Sequence, residues 1–423
     1  MKNSLFLILP LLFAFTANAQ NEKEVIKNNI DILTSESMHG RGYVQNGADQ
    51  AAIFIQRRFR EYKLKPVTAD GSFIQGYTFQ VNTFPGKMSL RINDKELVAG
   101  ADYLIDAASV SYSGSDMPVK TIDLATISSK PAWRKTMSSF DEHTAYCLEN
   151  VDSFCSFFSE SPAKFSSLLP KGCFIIPQKT KLTWDVAQDT ILATVFYVKK
   201  DALPALITSV SANVESRFIP KEKNDNIIAC VPGQVKDTFI AITAHYDHLG
   251  MMGDATMFPG ASDNASGTAM LIYLASYFST HPQHYSILFL VFSGEETGLL
   301  GSEFYVAHPI VALSNIKFLT NIDIMGDATD GVTVVNATEY PKEFARLNEI
   351  NTLHHYIPVI KSRGKAANSD HYHFSEAGVP SFFLYSNGGK GYYHDIYDKA
   401  EEITLKNVDG VAKLLIDFVR DIN

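Results

Sequence analysis

Ala244-His245-Tyr246-Asp247-His248 follows directly on the apolar run 239–243. A short apolar run of this kind reads as a buried strand, so the two histidines and the aspartate stand where a strand leaves the core. Other acidic and imidazole positions lie in similar places. Asp263 sits in Gly260-Ala261-Ser262-Asp263-Asn264, at the opening of a helix. Glu295-Glu296 follow the run 287–292, Asp323 ends the run 316–322, and His394 follows Gly388-Gly389-Lys390-Gly391 after the run 381–385. In open α/β sheets, ligands bind at the carboxyl ends of the strands. This spacing therefore predicts an α/β fold whose strand ends converge on one site.

The surrounding pattern agrees. From Asn226 onward strands alternate with helices: 227–231, 239–243, a helix bearing Met270, Leu274, Tyr277 and Phe278, then 287–292, a helix over 298–307, 316–322, 332–335 and 381–385. Alternation predicts a mostly parallel or mixed central sheet covered by helices. A last helix is expected from Thr404 as N-cap, with the stripe Val408, Val411, Leu415, Phe418 and Ile422.

Upstream, Ile26, Ile30 and Leu33 share one helical face, as do Ala52, Ile55, Phe59 and Tyr62, so two amphipathic helices open the chain. His39, in the turn His39-Gly40-Arg41-Gly42, is either a loop residue or a ligand, and the first is the commoner case. Residues 73–217 change texture: short β-type runs (79–84, 88–92, 173–176, 191–198) are broken by Ser, Gly, Pro and Asp clusters, with no strand–helix alternation. Trp133, Trp184 and Phe157-Phe158 either line a surface there or, as is more usual for such side chains, fill a core. The organisation expected is a leader over 1–19, a catalytic unit from 20–72 plus 218–423, and a β-rich insertion over 73–217.

The leader is read from Lys2, the apolar run 5–15 and the small residues Ala17-Asn18-Ala19, with cleavage before Gln20. The run is too short to cross a bilayer. Export to the periplasm or the extracellular space follows, without stable membrane insertion. A length of 423 residues suits about two domains. With 46% hydrophobic and 20% charged residues, long disorder is excluded. A net charge of −9 without a dense basic run argues against nucleic acid as partner. No obligate protein partner is evident from the sequence. Cys147, Cys155, Cys173 and Cys230 form no close pair of the zinc-binding kind. One disulfide among the first three, or buried free thiols, both remain open.

His245, Asp263, Glu296, Asp323 and His394 supply three carboxylates and two imidazoles. That exceeds the donor set of one catalytic zinc and suits two ions about 3.5–4 Å apart, able to polarise a carbonyl and share a hydroxide. Asp263, short and in a tight turn, is the natural bridge; His245 with Asp323 then serves one ion and Glu296 with His394 the other. Neighbouring side chains leaving a strand diverge, so Glu295 can act as general base while Glu296 holds metal. Asp247 lies on the same side as His245 and can fix its tautomer.

These segments, with Thr243–Gly250, Phe292-Ser293-Gly294-Glu295-Glu296-Thr297-Gly298-Leu299-Leu300-Gly301-Ser302, Asn321-Ile322-Asp323-Ile324-Met325-Gly326 and Tyr393-His394-Asp395, resemble the di-zinc aminopeptidases of clan MH, which include bacterial leucyl aminopeptidases, plasma glutamate carboxypeptidases and glutaminyl cyclases. The resemblance spans Asn226 to the C-terminus, extends to the opening helices with Gly40-Arg41-Gly42, and implies the zinc exopeptidase fold. It implies two zinc ions on His245, Asp263, Glu296, Asp323 and His394, Glu295 as base, Asp247 as orienting residue and a peptide as substrate. Aminopeptidase action is the leading expectation, with glutaminyl cyclase, dipeptidase, carboxypeptidase or a non-catalytic binding relative as alternatives. Ser369-Asp370-His371 resembles a segment near the pocket of such proteins. Asp395-Ile396-Tyr397-Asp398 departs from their usual pattern, which bears on loop shape. The insertion stands where many of them carry a protease-associated domain, to which its sequence has little likeness.

Overall fold

The computed structural model describes residues 22–422; the expected leader over 1–19 lies outside the described residues. Two eight-stranded sheets carry the architecture. The first runs Ile74–Thr83, Arg217–Val231, Tyr285–Phe292, Val235–His245, Ile316–Ile322, Ser381–Ser386, Val332–Val335, Ile360–Ser362 across its width. Its centre is parallel, from Tyr285–Phe292 through Val235–His245 and Ile316–Ile322 to Ser381–Ser386. Its flanks are antiparallel, so the sheet is mixed.

The side-chain period of two decides which helices go where. Ile240, Ile242, Ala244, Ile287, Phe289 and Val291 point into a core shared with the helices Glu22–Leu33, Gly47–Glu61, Gly267–Thr280 and Val408–Ile422. Phe239, Ala241, Leu288, Leu290 and Phe292 point the other way, against Tyr305 and Phe374 of the helices Leu300–Ala307 and His371–Glu376. With both faces covered, the strand ends are the remaining place for polar side chains. The opening helices bury Ile26, Ile30 and Leu33, and Ala52, Ile55 and Phe59, as their spacing requires.

The second sheet lies between residues 89 and 214. Four of its strands, Tyr112–Asp123, Ala145–Glu149, Cys173–Gln178 and Thr194–Lys199, are mutually parallel. The helices Lys130–Met137 and Val151–Phe158 separate the first three of them, and a loop joins the third to the fourth. This corrects the reading of the region as lacking strand–helix alternation. Both helices have only 8 residues, too few turns to print a periodic stripe. Tyr146, Leu148, Phe174 and Ile176 face them, while Cys147, Cys173 and Ile175 face a core completed by Leu249, Met252 and Phe258 from the first sheet's loops. The two sheets thus share apolar packing.

Several details differ from the sequence reading. The strand Ile74–Thr83 pairs with Arg217–Val231 in the first sheet. The last helix begins at Val408 rather than beside Thr404: the Thr404 hydroxyl donates to Asp327 (2.5 Å) and its oxygen accepts the Lys406 N–H (3.1 Å), in a turn that comes before the helix. All four cysteines are buried free thiols, which settles the open alternative. Trp184 is buried in the shared core and stacks on Phe258 with centroids 4.7 Å apart. Trp133 packs on Phe154, whereas Phe157 is exposed. No helix among the described residues is long and apolar enough to cross a membrane.

Candidate metal centre

His245 is the last residue of the central strand Val235–His245. Its Nε2 lies 3.4 Å from Asp263 Oδ1 and 3.3 Å from Asp323 Oδ1. His394 reaches the same place from the opposite side, with Nε2 3.2 Å from Asp263 Oδ2 and 3.0 Å from Glu296 Oε2. Asp263 therefore faces one imidazole with each of its oxygens. The structure brings together all five residues singled out as ligands, and buries His245, Asp263, Asp323 and His394.

Each imidazole is turned inward by its other nitrogen. His394 Nδ1 is 2.8 Å from the Trp184 carbonyl, an acceptor that places the proton on Nδ1. His245 Nδ1 is 3.2 Å from the carbonyl of Asp247, while the Asp247 carboxylate stands 3.7 Å away. The expected carboxylate bond to the ring is thus supplied at closer range by the backbone of the same residue. The Asp247 carboxylate instead accepts from Tyr43 Oη (3.0 Å) and from the Glu295 N–H (3.3 Å), tying His245 to Glu295.

A metal fits this arrangement. The Nε2 atoms of His245 and His394 and Oδ1 of Asp323 are buried without a hydrogen-bond partner among the described residues. Buried polar atoms are rarely left so, and here they converge. Groups of His245, Asp263 and Asp323, and of His248, Asp263 and Glu296, each offer donor atoms within 4.8 Å of one another. The nitrogen and oxygen donors match zinc.

Electrostatics say the same. Burial lowers the His245 pKa, but Asp323 and Glu295 outweigh it and hold the ring well above its ordinary value. Burial likewise opposes protonation of His394, yet Glu296 and Asp263 bring it up to about 11. Protons stand in for cations in a pocket built for positive charge. Burial pushes the Glu295 carboxyl well above the carboxylate range, with His245 opposing and Glu296 and Asp323 adding.

Sequence reasoning missed part of the support. His248 lies within the opening stretch, and its Nδ1 is 2.6 Å from Glu296 Oε1; its spacing of three from His245 was the available signal. Arg41 is fully buried and donates to the carbonyls of Tyr246 (2.8 Å), Leu33 (2.9 Å), Pro259 (2.7 Å), Gly260 (2.7 Å) and Asp263 (3.3 Å). Burial lowers its pKa to about 10, against the pull of Asp263, Asp398 and Asp247. Its two flanking glycines are needed for contact: a Cβ on Gly42 would lie 2.5 Å from Gly250 Cα, and one on Gly40 2.4 Å from the Phe258 carbonyl.

Asp398, in the departing Asp395–Asp398 stretch, accepts the N–H groups of Ser262 (2.8 Å) and Asp263 (3.1 Å). Ser369 Oγ donates to Asp323 Oδ2 (3.1 Å). Asp370, fully buried, is pushed up to about 7, mainly by burial. His39 belongs to none of the clusters of metal-ligating type found among the described residues.

Residues 226–419 match the model of Peptidase family M28. The chain is 27% identical over 230 residues to aminopeptidase YwaD of Bacillus subtilis, covering 52% of this chain and 49% of that protein. It is 29% identical over 230 residues to leucine aminopeptidase 1 of Penicillium rubens, covering 50% and 59%. The chain thus spans about half the length of the curated relatives it matches. Among solved structures, the zinc aminopeptidase BSAP from Bacillus subtilis superposes with a TM-score of 0.69 at 19% identity over 95% of each chain. The Peptidase M28 precursor from Shewanella amazonensis gives 0.67 at 14%, again over 95% of each. These likenesses show a shared fold.

Proposed function

We propose that the protein is a zinc-dependent aminopeptidase of peptidase family M28, whose model residues 226–419 match. The observation that carries the reading is the Asp263 carboxylate set between two inward-turned imidazoles, His245 and His394, at 3.4 and 3.2 Å. Asp323 completes one side and Glu296 the other. One zinc needs fewer donors than this, and a shared carboxylate is what two ions require.

When bound, such ions polarise the scissile carbonyl and acidify water. The protein's own groups do the rest. Glu295, whose carboxyl burial holds well above the carboxylate range, is the group placed to carry the proton. It takes a proton from the attacking water and delivers it to the departing amine nitrogen. Asp247 holds the Glu295 backbone and, through its own carbonyl, the His245 ring, so base and ligand keep one spacing. Ser369 fixes the Asp323 carboxylate, and Asp398 fixes the turn that presents Asp263.

The remaining organisation is part of the same proposal: a catalytic unit of 20–72 and 218–423, to which the strand Ile74–Thr83 adds by pairing in its sheet, with the second sheet inserted, acting on peptides outside the cytoplasm after loss of the leader. The test is hydrolysis of aminoacyl-anilides with and without chelator. Glu295→Gln is expected to lower kcat by about 10²–10⁴-fold at unchanged metal content. A wild-type protein with two bound ions and no turnover on any aminoacyl or dipeptide substrate sinks the reading.

A further inference from the structure

Glu295 stands in a turn, residues 293–299, between the strand Tyr285–Phe292 and the helix Leu300–Ala307. Two of its residues, Gly294 and Gly298, take left-handed backbone, with φ of 71° and 105°. Glycine loses more conformational freedom on ordering than any other residue. The hydrogen bonds inside the turn run forward from Glu295: its carbonyl accepts from Gly298 (2.9 Å) and Leu299 (2.8 Å), and that of Gly294 from Leu300 (2.9 Å). They set the shape of the turn but not where it stands against the metal centre. That placement matters, because a misplacement of about 1 Å can cost on the order of 10²-fold in rate.

Two tyrosine hydroxyls reach the turn at and just before Glu295. Tyr77 Oη donates to the Ser293 carbonyl (2.7 Å). The approach is close: a Cβ on Gly294 would lie 2.7 Å from Tyr77 Oη and 3.2 Å from Phe79 Cε1. Tyr77 and Phe79 are two apart on the strand Ile74–Thr83 and share one face of it. The Tyr77 ring stacks on Phe304, in the helix that the turn leads into, with centroids 5.0 Å apart. Phe79 meets the Tyr43 ring edge to face at 5.3 Å. Tyr43 Oη donates to Asp247 Oδ2 (3.0 Å), and Oδ1 of the same carboxylate accepts the Glu295 N–H (3.3 Å). A row of four rings therefore lies against the turn and carries a hydroxyl at two points.

Asp247 divides its contacts between base and ligand. Its carboxylate serves Tyr43 and Glu295, whereas the His245 ring is held by its carbonyl (3.2 Å), with the carboxylate 3.7 Å away. A change at Tyr43 Oη thus reaches the base and leaves the ligand to the main chain. Burial first, and then the charge of Asp247, hold both phenols well above their ordinary pKa, so both remain donors. A hydrogen bond to a carboxylate is about twice as strong as one to a neutral carbonyl, which makes Tyr43 the stronger brace.

We propose that Tyr43 and Tyr77 are positioning residues for the general base, setting the Glu295 turn against the metal centre through the Asp247 carboxylate and the Ser293 carbonyl. This rests on the peptidase reading above. The experiment follows aminoacyl-anilide hydrolysis by metal-reconstituted Tyr43→Phe and Tyr77→Phe, each made in the wild-type and in the Glu295→Gln background. Phenylalanine keeps the row of rings and removes only the hydroxyl. In the wild-type background kcat is expected to fall about 10-fold for Tyr43→Phe and about 3-fold for Tyr77→Phe, the sizes of one charged and one neutral hydrogen bond. KM and the content of bound metal stay at wild-type values. In the Glu295→Gln background neither change should lower kcat by more than about 2-fold, because a base that is absent cannot be misplaced. A purely structural role would cost the same in both. Equal losses in the two backgrounds, wild-type kcat in both variants, or a loss carried by KM or by metal content overturn the inference alone. Wild-type protein that hydrolyses no aminoacyl substrate overturns the peptidase reading and takes this inference with it.

Discussion

The two halves of the metal centre are built differently. On the His245 side, the ligand ends a central strand paired on both edges, by Tyr285–Phe292 and Ile316–Ile322, and Asp323 immediately follows the second of these. Its ring is oriented by a carbonyl two residues away, and the loops beneath are gathered by the buried Arg41. On the His394 side, the ligand stands in a glycine-rich loop with a left-handed backbone (φ 57°). Its orienting carbonyl, from Trp184, lies 210 residues earlier in the chain, in the loop between the strands Cys173–Gln178 and Thr194–Lys199 of the second sheet. Sheet pairing places one imidazole; contact between two separately built sheets places the other. The difference implies that the His394 half yields first when the protein is stressed.

The largest effect should come from the rigid half. Arg41→Met strips a charged donor from five buried carbonyls and is expected to lower stability by on the order of 3–5 kcal/mol, read in denaturant melts of metal-free protein. A loss below about 1 kcal/mol would mean that the sheet alone holds this half. Next is His248→Phe, which removes the partner of Glu296. Orienting groups of this kind are worth about 10–100-fold in metal affinity. Chelator titration should show one ion weakened by that factor and the other retained; equal weakening of both ions would erase the asymmetry.

A pH series sharpens the comparison further. The folded-state pKa of His394 is raised to about 11 from an ordinary value near 6.5. A group raised on folding stabilises fully below its unfolded pKa, and that contribution is lost as pH rises toward the folded value. Chelated protein should therefore lose Tm between pH 7 and pH 10. The gap to metal-loaded protein should widen over the same range, because ions no longer compete with protons. A constant gap would show that the imidazoles are already neutral in the metal-free protein. The smallest effect is expected from Lys181→Ala, which cuts an exposed tether to the His394 loop. Release of the His394-side ion should quicken by less than about fivefold, in keeping with a surface ion pair, and Tm should hardly move. No change in release would place the whole of that tether in Trp184.

The amino-acid order by itself determined the parallel centre of the first sheet, the helices at both ends of the chain and the meeting of five ligand-type residues, but not the edge strands Ile74–Thr83 and Ile360–Ser362. Dense apolar runs with acids and imidazoles at their ends leave few other ways to bury the runs and keep the polar groups near water. Boundaries drawn from local signals fared worse. Thr404 looks like a helix cap, but its oxygen accepts the Lys406 N–H in a turn ahead of the helix while its proton goes to Asp327, 77 residues away in the chain. The short helices of the second sheet are too brief to show a period.

What tertiary structure alone decided is the supporting shell: Arg41 beneath two loops, His248 against Glu296, Asp398 under the Asp263 turn, and Trp184 beside His394. These are long-range pairings of single residues. No periodicity records such a contact, because each is fixed by how separate elements pack and not by the local preferences of the chain.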